Sequence, residues 1–342
     1  MTLYSKIEKL NKQLSLTHSD SFGLASGKIG LSLYFYQLSR LENNREYEKL
    51  AEKYLNETVS AIGTVQQVDI KSGLAGIGLS IDYLVKNNFV NGNINSILKE
   101  IDDYLFRTLS TSKHYEQLDA STLIQFLYYF YVRLQDQKQG SENEYLFKEL
   151  CVKTINNIYV KIEQVPFGRR LVYNVEQELP LFLYVLSRIR SLDFYNIRID
   201  NILSELSPIV LSTIPILHSN KLYLLWAMHA VCKQTKINGW NEHIELLKRE
   251  LNLEEIVSTE LKNRNIFFYD GAVSIFLLTE AVKKELENTV CKFQQKLIEK
   301  IEQSEVWKLF EADLQYFAAH SRLLYGFCGV ALLLATYKKR DL

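Results

Sequence analysis

Cysteine and histidine are the residues with which this 342-residue chain could bind a metal or present a nucleophile, and both are sparse. Cys151, Cys232, Cys291 and Cys328 stand far apart and form no CxxC, so they read as reduced, buried and chemically idle thiols. His229 and Cys232 are three residues apart and share a helical face, but they fall deep in an apolar stretch, where core or rim packing is the plainer role. His320, His114 and His18 show no ligand spacing. Acid–base groups stand at Tyr269 and Asp270, directly before Gly271, and at His218. Arg169-Arg170, after Pro166-Phe167-Gly168, could hold an acidic peptide, with surface solvation the simpler role. The 21 tyrosines cluster in Leu127-Tyr128-Tyr129-Phe130-Tyr131, where most would pack with their hydroxyls on a partner or a central cavity. A tyrosine-lined cavity could bind a peptide. No phosphate loop, nucleophile elbow or HExxH is present.

The elements that must position these residues come from an internal repeat. Gly23-Leu24-Ala25-Ser26-Gly27-Lys28-Ile29-Gly30-Leu31 resembles Gly73-Leu74-Ala75-Gly76-Ile77-Gly78-Leu79 and Gly326-Phe327-Cys328-Gly329-Val330-Ala331-Leu332. Gly271-Ala272-Val273-Ser274-Ile275-Phe276-Leu277 is a weaker copy. With first glycines at 23, 73, 271 and 326, a period near fifty places three glycine-less copies near 123, 172 and 222. Apolar helical stretches occur there, at 119–134, 176–189 and 221–232.

Between the apolar segments lie charged stretches whose apolar residues recur every three or four positions, as a helix with one buried face requires. They are 46–62, 94–109, 144–162, 201–211, 243–261 and 285–302, and 4–14 supplies a seventh. The expected fold is all-α: a single domain over 1–342, an α/α toroid of about seven inner and seven outer helices.

Glycine costs a helix interior about 1 kcal/mol relative to alanine, so its repetition at helix starts needs a reason. A left-handed turn is one and close backbone approach is another. A functional alternative is a set of unpaired N–H groups at these starts facing a shared cavity.

Composition excludes other classes. Forty basic and forty acidic residues balance, with no basic patch for nucleic acid. Residues 1–10 alternate charge and lack a signal-like apolar run, and the apolar run 323–337 is too short to span a bilayer. Lys338-Lys339-Arg340 reads as a solvated end, and the protein as cytoplasmic.

On the GLASGKIGL, GLAGIGL and GFCGVAL segments and the seven-fold period, the chain resembles the lanthionine synthetase C-like family. The resemblance implies action on ribosomally made peptides carrying dehydrated serine or threonine. A zinc-bound cysteine thiolate adds to the dehydroamino acid and closes a thioether ring. The family's zinc ligands are a cysteine two residues before the fifth-repeat glycine and a Cys-His pair directly before the sixth. Here Tyr269 and Asp270 precede Gly271, and the fifth repeat reads Leu217-His218-Ser219-Asn220-Lys221-Leu222. Tyrosine is a poor zinc ligand, so the expectation is no metal and no other cofactor. A substitute site from His218, Asp270 and Cys328 is the alternative.

The expected function is a zinc-less binder or scaffold in peptide maturation, partnering a precursor peptide and a dehydratase-type enzyme. The competing reading is an active cyclase in which Tyr269, Asp270 or His218 activates the thiol. A third is a glycan-active toroid using two of Asp119, Glu176 and Asp270.

Overall fold

The computed structural model describes residues 3–16, 19–110, 112–162, 167–286 and 289–340, and no strand occurs among them. His18 and Pro166 lie outside the described residues. Fourteen of the described helices have ten residues or more. The first seven are α1 (Leu3–Ser15), α2 (Lys28–Glu42), α3 (Arg45–Ala61), α4 (Leu74–Lys86), α5 (Lys99–Ser110), α6 (Ala120–Gln135) and α7 (Glu142–Ile162). The others are α8 (Glu178–Arg190), α9 (Asn196–Ser212), α10 (His218–Cys232), α11 (Trp240–Glu250), α12 (Ala272–Ala281), α13 (Thr289–Gln303) and α14 (Phe327–Arg340).

The even-numbered helices are the apolar series and the odd-numbered ones the amphipathic series, seven of each, as the repeat requires. The three glycine-less copies begin after caps at Asp119, Gln177 and Leu217, within five residues of the positions the period gives. None of the described helices is long and apolar enough to cross a membrane.

Two compact units form. The first comprises Met1–Thr111, Lys262–Ser274 and Leu297–Leu342, and the second Ser112–Leu261 and Ile275–Lys296. In the first, α2 packs on α3, α4 and α14. The Ser32 hydroxyl donates to the Ala51 carbonyl at 2.9 Å, and the Tyr34 hydroxyl donates to the Asn11 side-chain oxygen, tying α1 to α2. Lys6 donates to the Glu302 carbonyl at 3.0 Å and lies 5.5 Å from the Trp307 ring. Lys9 lies 5.8 Å from the Phe310 ring. The first helix is thus seated against the end of α13 and the residues that follow it, as a seventh amphipathic helix must be.

In the second unit α6 packs on α7 and α8, α8 on α10, and α10 on α11. Phe126, Phe130, Phe147 and Trp240 are buried in its core. The Trp240 indole N–H donates to the Ser207 hydroxyl at 2.9 Å, which satisfies the one polar atom of that side chain.

Candidate functional site

The starts of the apolar helices carry the repeat's signature, and the two units build them differently. In the first unit an extended segment runs back over the helix start. Its carbonyls accept the first N–H groups of the helix from seven residues downstream. Leu74 donates to Gln67 at 3.0 Å, Ala75 to Val68 at 3.2 Å, and Gly76 to Asp69 at 3.4 Å. Lys28 donates to Ser21 and Ala272 to Asn265 in the same way, at 2.9 and 3.0 Å. These N–H groups are therefore paired within the chain and do not face a cavity unpaired.

Glycine is needed because the segment passes so close. A Cβ on Gly76 would sit 1.8 Å from the Ile70 carbonyl oxygen, and one on Gly73 2.4 Å from that of Gln67. Gly271 and Gly326 meet Asn265 and His320 likewise, while Gly30 and Gly329 meet Leu24 and Leu323. The backbone angles exclude the other explanation. Gly27 and Gly73 cap their helices at φ −113° and −115° with ψ near 180°, an extended conformation open to any residue. Those angles also correct the register. Gly27, not Gly23, is the counterpart of Gly73. Gly23 serves a different contact, since its Cβ would lie 2.5 Å from the Lys71 carbonyl oxygen in the next repeat. Gly78 lies buried inside α4.

These turns are also joined to one another. Tyr269 N–H donates to the Leu324 carbonyl at 3.1 Å, Leu323 N–H to Ala25 at 3.2 Å, and Ala25 N–H to Lys71 at 2.8 Å. One strip of backbone hydrogen bonds thus links the sixth, seventh, first and second repeats.

The second unit caps two of its apolar helices, α6 and α10, with side chains. Asp119 accepts from Thr122 N–H at 2.7 Å, which commits one of the carboxylates considered for glycan chemistry to a structural bond. The Glu260 carboxylate accepts from the N–H groups of both His218 and Ser219 at the start of α10. The Gln177 amide donates to the Asn220 side-chain oxygen at 3.0 Å, and Gln125 donates to Glu176 at 3.3 Å. Arg170 pairs with Glu178 at 2.7 Å, and Arg169 is exposed.

Of the candidate acid–base residues, Tyr269 and Asp270 belong to the first unit and His218 to the second. The Tyr269 ring packs 4.8 Å from that of Tyr325, with the Lys71 ammonium 5.9 Å away. Burial pushes the Asp270 carboxyl above its ordinary value, against the bond from its own N–H. The His218 Nδ1 accepts from Asn252 N–H at 3.1 Å, so its neutral ring carries the proton on Nε2. His229 pairs with Glu285, and burial holds its imidazole below the usual range against the pull of that carboxylate. Cys232 beside it is half-buried, with its thiol pushed up by desolvation. Cys151 and Cys328 are buried and pushed far higher, so their thiols stay protonated and unreactive.

A further set lies on the faces of α6, α8 and α10. Tyr184 stacks on Trp226 at 4.3 Å, Tyr223 lies 5.6 Å from Trp226, and Tyr173 lies 6.0 Å from Tyr223. One turn further along α8, Arg188 donates to the Tyr131 hydroxyl at 2.9 Å, and Tyr131 lies 5.9 Å from Tyr128. Of the six aromatic rings, Tyr128, Tyr184 and Trp226 remain half-exposed, and Arg188 is exposed. The sequence pointed to Tyr128–Tyr131 alone. The readable signal was that Tyr128, Tyr184 and Trp226 fall nine, seven and nine residues past their helix caps.

Among the described residues, seven long apolar helices alternate with seven amphipathic ones at a near-constant interval, the pattern of the α/α toroid class. Residues 18–168, a little under half of the chain, match the model of the lanthionine synthetase C-like proteins. Among solved structures it is similar to nisin cyclase, with a TM-score of 0.61 at 14% identity, covering 98% of this chain and 93% of that one. This likeness carries the fold beyond residue 168. Comparison with curated protein sequences gives no match.

The family implies a zinc ion, which needs several N, S or O donors converging on one point. Among the described residues no group of three or more His, Cys, Asp or Glu side chains is placed to hold a metal. At the positions carried over for the family's Cys-His pair stand a phenol packed on Tyr325, with an ammonium nearby, and a single half-buried carboxyl. This donor set does not fit zinc.

Proposed function

We propose that this chain is a peptide-handling member of the lanthionine synthetase C-like family that binds a modified precursor peptide, and a partner enzyme of the dehydratase type, without that family's zinc chemistry. One observation carries the reading. The fold and its glycine turns are retained, while the ligand positions at the sixth-repeat turn hold Tyr269 and Asp270. The name of nisin cyclase describes a ring-forming enzyme, and the shared fold brings peptide handling here as a proposal.

The test pairs elemental analysis with mass spectrometry. Purified protein is expected to contain no stoichiometric zinc. It is expected to bind a dehydrated, cysteine-containing precursor peptide without accelerating loss of free thiol. Stoichiometric zinc with rapid thioether formation would overturn the zinc-less reading. Absence of binding to any precursor or modifying enzyme would overturn peptide handling.

A second reading, ring closure without zinc, rests on Asp270. A carboxyl held protonated further up the pH scale is suited to proton transfer near a thiol or an enolate. The Tyr269→Phe, Asp270→Asn double variant would lose ring formation under this reading, and an unchanged rate would sink it.

A further inference from the structure

We propose that the aromatic shelf of the second unit, with Arg188 at its edge, binds a peptide segment in which an acidic residue adjoins an apolar or aromatic one. The proposal deepens the peptide-handling reading and rests on it. Three observations within one unit support it.

The first is the shelf. Tyr184 and Trp226 present a stacked pair 4.3 Å apart whose rings are only partly covered. Tyr223 packs on Trp226 and is itself packed by Tyr173, and the Tyr223 hydroxyl is fixed by donating to the Val175 carbonyl at 2.6 Å. A braced aromatic surface loses little entropy on accepting an apolar group.

The second is charge. The described partner of the exposed Arg188 is a phenol, Tyr131, 2.9 Å from its Nη2. Other arginines nearby are spent on carboxylates, Arg170 on Glu178 at 2.7 Å and Arg190 on Asp200 at 2.7 Å. The fork of Arg188 keeps donors for an incoming carboxylate, with which it forms charge-assisted bonds.

The third is polarity along the shelf. Glu176 stands beside Gln125 near the helix caps, and Arg188 lies eleven residues past the Gln177 cap. An acidic residue is attracted to the Arg188 end and repelled at the Glu176 end, which sets the direction of the bound chain. On the neighbouring helix His229 is occupied by Glu285, so it does not compete with Arg188 for an incoming carboxylate.

The experiment compares two capped peptides, acetyl-Phe-Glu-Phe-amide and acetyl-Phe-Gln-Phe-amide, titrated into the full chain. Trp240 and Trp307 are buried, so the half-exposed Trp226 is the fluorescence reporter, and Trp226→Phe should abolish the signal. The glutamate peptide should bind about tenfold more tightly than the glutamine peptide. Arg188→Gln should erase that preference, and Arg188→Lys should restore part of it. Equal binding of the two peptides by the wild type, or a preference that survives Arg188→Gln, overturns the site while leaving peptide handling intact. No saturable response to either peptide also overturns the site, and the precursor-binding test then decides the broader function separately.

Discussion

The two units solve one problem, the unpaired N–H groups at a helix start, by different means. In the first, Gln67, Val68 and Asp69 lay their carbonyls over α4, and the approach leaves no room for a Cβ at Gly73 or Gly76. In the second, carboxylates take that part: Asp119 from the cap position of α6 itself, and Glu260 from a distance, which leaves the cap residue of α10 free to vary. Glycine in this fold is therefore the mark of a backbone cap. Where a side chain takes over, the glycine becomes dispensable, and Asp119 and Leu217 stand in its place, while Gln177 opens α8 with no side-chain bond to the helix. The two solutions should also fail differently, because a clash of backbone atoms cannot relax and a lost side-chain bond can be replaced by water.

The largest expected effect follows from Gly76. Gly76→Ala puts a methyl carbon onto the Ile70 carbonyl, and should cost about 3 kcal/mol or more in denaturant unfolding. Gly63→Ala is the control: nothing lies within 4 Å of its Cβ, so the change should be below about 1 kcal/mol. A small loss at Gly76 would erase the distinction between the two kinds of start. Next comes Glu260→Ala, which frees two N–H groups at the start of α10 and should cost about 1–2 kcal/mol. Asp119→Ala should cost about 1 kcal/mol, and Asp119→Gly only a few tenths relative to Asp. A glycine variant as damaged as the alanine one would mean that Asp119 does more than cap.

The smallest effect concerns pH. The Asp270 carboxyl is raised by burial, so the folded state holds its proton more tightly than the unfolded chain. Its contribution is fully present below the unfolded carboxyl range and is lost as pH rises through the folded value. Asp270→Asn should flatten that part of the stability–pH curve, read as melting temperature from acid to neutral pH. An unchanged curve would show that Asp270 ionises freely, and would weaken its case as an acid–base group.

Much of this was legible in the sequence, in proportion to how local each interaction is. Alternating apolar and amphipathic stretches gave the helices, and Gly73, Gly271 and Gly326 marked three starts directly. The first repeat misleads because Gly23, Gly27 and Gly30 offer three glycines, and only the contact with Lys71 separates the role of Gly23 from that of Gly27. Glu260 is invisible as a cap because 42 residues separate it from His218. The stacking of Tyr184 on Trp226 spans the same distance and follows no motif, so the shelf could not be read beyond the tyrosines of α6. Tyr269 and Asp270 were found only because they adjoin a glycine that the fold requires.

The backbone strip through Tyr269, Leu324, Ala25 and Lys71 has a consequence for assembly in time. Ala25 leaves the ribosome long before Leu323 and Leu324, the residues that donate to its carbonyl. The first repeat must then wait, its carbonyl hydrated, until the seventh arrives. Such long-range closure is slow, and it is exposed to competing contacts while it waits. Translation speed and chaperone supply should therefore govern the yield of native protein, and synthesis that stops short of Leu323 should leave the earliest-made turn open.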